Sequence, residues 1–252
     1  MGVFESQSEV AKSLRGVHLY HFALSNCSQR CRFALELKGV KWHSHHRDLS
    51  KREHITPEYL AINPNGVVPT LVHDGVVVLE SNDIIDYIDE TFPGVDFKPK
   101  NPAEAKAVRD LLDSSSQAQT AIKALSHEYL FSARRQQISL RDIHDMKKAG
   151  ASDELIGFLS DYCSNGKEWA DRLDAAHKDA RARVLELERR LKVTERWLSG
   201  PAFGLADMSW AVNYYRLAQC RMSFPDAPMY EEWGASVVDM PAFQTAVVNY
   251  HP

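Results

Sequence analysis

Cysteine is scarce in this chain: there are four in 252 residues, Cys27, Cys31, Cys163 and Cys220. Their wide spacing offers no disulfide framework. Cys27 and Cys31 stand four apart, and Arg30 occupies the place where a C-x-x-C redox pair needs its second thiol. No apolar run approaches the ~20 residues of a bilayer-spanning helix. The opening Met1-Gly2-Val3-Phe4-Glu5 lacks the basic and apolar regions of a secretion signal. A reducing, cytoplasmic setting is therefore expected, with no membrane partner. Positive charge is not in excess either. Thirty Lys and Arg face 34 Asp and Glu, for a formal net charge of -4, which gives no reason to expect nucleic acid as a partner. The remaining composition is that of a globule large enough for one large or two modest domains.

One stretch organises what is present. After the apolar run Val17-His18-Leu19-Tyr20 come Ser25-Asn26-Cys27-Ser28-Gln29-Arg30-Cys31-Arg32-Phe33-Ala34-Leu35, closed by Gly39. This reads as strand, loop and helix. Ser25, Asn26 and Ser28 are candidate N-caps, and Gly39 suits the turn after a helix end. Cys27 falls near the helix start, where free N–H groups and partial positive charge favour a thiolate, its own or a ligand's. The plainer alternative is a cysteine that packs as a small apolar residue.

A second strand is expected over Lys41–Leu49. Its three histidines, His43, His45 and His46, lack the cysteine or acidic partners of a tetrahedral site, so no metal is expected. Thr56-Pro57 opens a short helix. Asn65-Gly66 is a turn before a strand over Val67–Val72, and Pro69 within it implies an edge, a bulge or a cis bond that leaves Val68's backbone groups free for a ligand. Asp74-Gly75 turns the chain into Val76–Leu79, and Glu80-Ser81 opens a helix to Glu90 whose start can hold a ligand's carboxylate or amine through Ser81, which can equally serve as a plain N-cap. The order β-α-β, α, β-β-α gives an α/β layer fold over 17–95, with residues 1–16 expected as a loose arm.

These residues resemble the thioredoxin-fold domain of the glutathione transferases. The likeness rests on Ser25 to Arg30, on Asn63-Pro64-Asn65-Gly66-Val67-Val68-Pro69-Thr70-Leu71, and on Glu80-Ser81. The start is similar to the zeta class (maleylacetoacetate isomerases) and more closely to the hydroquinone reductive dehalogenases. The resemblance implies glutathione as co-substrate and a homodimer. Ser25 would hydrogen-bond the glutathione sulfur, and Cys27 would attack a glutathione conjugate or exchange with it. Val68, before Pro69, would pair with the cysteinyl backbone, and Glu80 and Ser81 would bind the γ-glutamyl end. His54 would meet the glycyl carboxylate, and Asn26 lies in the same site. Asn26 stands where zeta enzymes usually have serine, Gln29 where they have tryptophan, and Asn82-Asp83 where an alanine or serine and an isoleucine are common.

From 101 to 252 the pattern is helical, giving an all-α bundle behind the thioredoxin-like domain. Helices are expected over Ala103–Leu112, Ala118–Leu130, Asp142–Lys148, Asp153–Cys163 and Gly166–Leu198. Gly204 to Trp210 resembles the buried helix start of the same family. There Asp207 would cap with no hydroxyl partner, because Gly204 takes the cap position. Residues 130–170 are surplus to a compact transferase, either a lid or a solvated insertion. The reading is a glutathione-dependent transferase acting on a hydrophobic, aromatic or halogenated electrophile, with a cysteine-mediated reductive step. The alternatives are plain conjugation or peroxide reduction with Cys27 incidental, and a non-catalytic binding or scaffold protein.

Overall fold

The structure, a computed structural model, describes residues 2–148 and 152–251. The first half is a mixed five-stranded sheet. Its strands are β1 (Val3–Phe4), β2 (Val17–His21), β3 (His43–His46), β4 (Thr70–His73) and β5 (Val76–Val78), in the order β1-β5-β4-β2-β3. Helices α1 (Glu9–Ser13), α2 (Asn26–Leu37), α3 (Pro57–Leu60) and α4 (Ser81–Thr91) complete it. Only β2 and β3 run parallel; β4 and β5 are antiparallel to their neighbours. Residues 2–16 are not the loose arm expected over 1–16, of which Met1 lies outside the described residues. Val3 and Phe4 add an edge strand to β5, and Ser8 caps α1 by accepting from Ala11 N. Too few apolar residues occur there for periodicity to reveal either element. The strand expected from Val67 begins at Thr70, after the cis Val68-Pro69 bond; Pro69 has no backbone N–H to give to the ladder.

The second half is helical: α5 (Pro102–Gln117), α6 (Gln119–Tyr129), α7 (Leu140–Lys148), α8 (Asp153–Ser164), α9 (Lys167–Thr194), α10 (Leu205–Gln219), α11 (Pro228–Val238) and α12 (Pro241–Phe243), which passes into a wide turn, Gln244–Val248. Helix α10 is buried along most of its length, Asp207, Asn213 and Arg216 included, and runs through the middle of the molecule. It packs against α5 and α6 on one side and α2 on the other, so one core serves both halves.

The start of α10 solves the missing-hydroxyl problem from outside the helix. Ser199 Oγ accepts from Ala206 N at 3.1 Å, the role a serine at position 204 would have taken. Gly204 is required for space, since a Cβ there would lie 2.4 Å from Phe97 O. Asp207 accepts from Gly204 N and Ser199 N with one oxygen, and from Leu198 N and Trp233 Nε1 with the other. Asp207→Ala leaves all four donors unpaired in the core and should cost about 3–5 kcal/mol of stability. Denaturant unfolding checks this; a loss below about 1 kcal/mol would show that water replaces the carboxylate.

The surplus segment packs on α6 and α9 through aromatics. The Tyr162 hydroxyl lies 3.3 Å from His127 O on α6, and Trp169 Nε1 on α9 donates to Glu128 on α6 at 2.8 Å. It also reaches the sheet domain: Asp142 on α7 lies 3.7 Å from Arg52, two residues before His54. Residues 149–151 of the segment lie outside the described residues.

Candidate active site

Strand register brings the separated motifs to one end of the sheet. Tyr20 pairs with Thr70, and Leu71 with Val78. The loop after β2, the loop before β4 and the loop after β5 therefore emerge together, carrying Ser25 to Cys27, Val68-Pro69 and Glu80-Ser81. Strand β3 ends there too, since His21 pairs with His46, and the turn Glu53–Ile55 with His54 follows it.

Ser25 is the N-cap of α2, and its Oγ accepts from Ser28 N at 3.3 Å. Cys27 lies in the first turn and is partly exposed. Tyr59 OH (2.6 Å) and Asn63 Nδ2 (2.9 Å) both donate to Val67 O, tying down the loop that holds Val68. Among the described residues neither the N–H nor the C=O of Val68 has a partner, although the residue is buried. Glu80, exposed, sits at φ 61°, a costly conformation for a residue with a side chain. Ser81 opens α4, and its Oγ accepts from Arg30 Nη1 at 2.8 Å. His54 is half-buried with Nδ1 unpartnered among the described residues, and burial lowers its pKa.

Asn26 turns away from the sheet. Its Nδ2 donates to Asn213 Oδ1 on α10 at 2.6 Å, while Gln119 Nε2 donates to the same oxygen at 2.8 Å. Asn82 does likewise at the start of α4. Its Nδ2 donates to Leu112 O, and its Oδ1 accepts from Ser209 Oγ. The two asparagines that depart from the family pattern thus serve one purpose: both hydrogen-bond the helical half, close to the site's two helix starts.

The residues that motif reading missed are three arginines. Arg30 is 0%, Arg32 1% and Arg216 4% exposed. Arg30 donates to Ser81 Oγ and Ser209 O. Arg32 donates to Ala246 O, Phe22 O and Ala23 O. Arg216 donates to Leu24 O and Gln29 Oε1. Among the described residues none has a carboxylate partner, and burial draws all three below the usual arginine range, Arg32 to about 10. Buried charge without a counter-ion is costly, and here carbonyl and hydroxyl oxygens take up the guanidinium N–H groups. In the sequence Arg30 and Arg32 merely flank Cys31 ahead of the apolar run Phe33-Ala34-Leu35. Cys31 is buried against Ser81 O, and burial pushes its thiol up.

A thioredoxin-like sheet domain, a helical domain and a helix-capping serine beside a cysteine at their junction together define the glutathione transferase fold. Residues 19–96 match the family model for the glutathione S-transferase N-terminal domain. A probable maleylacetoacetate isomerase of Caenorhabditis elegans is 41% identical over 42% of this chain and 51% of its own. Relatives above 40% identity are matched over only 33 to 51% of their own length. A tetrachloro-p-hydroquinone reductive dehalogenase of Sphingobium chlorophenolicum is 27% identical over 82% of this chain and 85% of its own. Among solved structures, the β-etherase LigF of Sphingobium sp. strain SYK-6 superposes over 93% of this chain and 99% of its own, with TM-score 0.81 and 22% identity.

Proposed function

We propose that the protein is a glutathione-dependent enzyme that displaces a leaving group from an aryl electrophile and then reduces the conjugate through Cys27. The observation that carries this reading is the start of α2, where the N-cap Ser25 hydroxyl and the partly exposed Cys27 stand together at free helix N–H groups that suit a bound thiolate. The donor set fits glutathione: open backbone groups at Val68, the Ser81 hydroxyl at a helix start, and the unpartnered Nδ1 of His54 in the turn after β3. In this reading Ser25 donates to the glutathione sulfur while still accepting from Ser28 N, since a hydroxyl does both. A homodimer in the cytoplasm is part of the proposal.

The chemistry balances in three steps. Glutathione thiolate attacks the electrophilic carbon; a C–S bond forms and the leaving group departs with its electron pair. Cys27 thiolate then attacks the conjugate sulfur. An S–S bond forms, the C–S bond breaks, and the carbon keeps the electron pair and takes a proton. A second glutathione thiolate attacks the mixed disulfide, releasing Cys27 and oxidised glutathione. Cys31 is too deeply buried to serve as the resolving thiol, which is why an external one is needed. A chlorinated hydroquinone with excess glutathione should release chloride with two glutathiones consumed per chloride. One per chloride would mean conjugation alone, and none would defeat the proposal.

A further inference from the structure

The loop that carries Ser25 is held in an unusual way. Three consecutive carbonyls precede it, and each accepts from a buried guanidinium: Phe22 O and Ala23 O from Arg32 at 3.4 and 3.1 Å, and Leu24 O from Arg216 at 2.7 Å. A long side chain holds such a fork only if its own surroundings fix it, because ordering it costs rotamer entropy. For Arg32 those surroundings come from the other end of the chain. Its Nε donates to Ala246 O at 2.9 Å, and the ring of Tyr250 lies 4.1 Å from the guanidinium carbon. A desolvated guanidinium over an aromatic face is a favourable pair.

Tyr250 is in turn held by the sheet domain. Its ring stacks on Trp42, and its hydroxyl lies 3.3 Å from His21 Nε2 and 3.4 Å from Ser44 Oγ. Arg32 Nη1 faces His21 Nδ1 at 3.3 Å. A guanidinium only donates, so Nδ1 carries no proton and the imidazole's N–H is on Nε2, facing Ser44 and Tyr250. Burial and the neighbouring Arg32 keep His21 neutral, with its pKa lowered to about 3.

We propose that Tyr250 is a positioning residue: by covering one face of Arg32 it fixes the guanidinium fork on the Phe22 and Ala23 carbonyls, and through that loop sets the place of Ser25 and Cys27. The C-terminal segment thereby governs thiol chemistry at a turn to which Tyr250 makes no hydrogen bond of its own. This inference rests on the reading of Ser25 to Cys27 as the thiol site.

The test uses the full chain as wild type, Tyr250→Phe and Tyr250→Leu. Tyr250 is only half-buried, and circular dichroism with thermal melting verifies each fold. The rate of mixed-disulfide formation at Cys27 is followed by intact and peptide mass against rising oxidised glutathione, which separates the limiting rate from the half-saturating concentration. Tyr250→Phe keeps the ring and should stay within about twofold of wild type. Tyr250→Leu should lower the limiting rate about tenfold, the scale of a small misplacement of a reacting group, with half-saturation changed less than about threefold. A limiting rate for Tyr250→Leu within twofold of wild type overturns the inference, as does a Tyr250→Phe that falls equally far. Wild type forming no adduct on Cys27 defeats the reading of the site, and the inference with it. An adduct that forms equally fast in all three proteins defeats the inference alone. Should Tyr250→Leu not fold, Tyr250→Met, which likewise lacks an aromatic face, takes its place with the same expected result.

Discussion

Cys27→Ser should abolish the reductive step, by at least about 1000-fold, while conjugation stays within a few-fold of wild type. A serine hydroxyl at neutral pH is a poor nucleophile toward sulfur and forms no disulfide. No other thiol of the chain can replace it. Cys31 and Cys220 are buried, Cys163 is partly buried on α8 of the other half, and burial pushes all three up. The electrophile should then stop at the thioether, and glutathione consumption should fall from two per leaving group to one. Thiol titration with mass analysis of the product reads both. A variant that still consumes two glutathiones would remove Cys27 from the mechanism.

Ser25→Ala should lower kcat/KM for conjugation about 100-fold, the scale of losing one hydrogen bond aimed at a developing or bound anion. The same side chain caps α2 through Ser28 N, so the variant should also lose about 1 kcal/mol of stability. The two effects separate by substitution. Ser25→Asp restores a cap but puts a negative charge beside the sulfur. It should recover the melting temperature and not the rate. If Ser25→Ala conjugates as fast as wild type once its fold is verified, the thiolate is held by the helix start without the serine.

The sheet domain was legible because its punctuation is local. Pro69 in an apolar run, Asp74-Gly75 and the polar opening of α2 each act within a few residues, and the register then places their loops together. The first sixteen residues were not legible, because the two-residue strand Val3–Phe4 owes its existence to the edge of β5 rather than to its own pattern. Asp207 was legible as a cap, but its hydroxyl partner Ser199 was not, because it lies before the helix in a separate loop. The arginine cluster needed tertiary structure: Arg32 and Arg216 lie far apart in sequence yet hold adjacent carbonyls. Asn26 was assigned to the glutathione site by its place beside Ser25, whereas its side chain is committed to Asn213. Any part it takes in binding would come through its backbone.

The most direct test of the central claim is the intact mass of the protein after treatment with oxidised glutathione, wild type beside Cys27→Ser. The proposed chemistry predicts a single glutathione adduct on wild type, mapped to Cys27, removed by added thiol and absent from the variant. An unmodified Cys27 in a folded wild-type protein would contradict it and leave serine-assisted conjugation at Ser25 as the chemistry of the site.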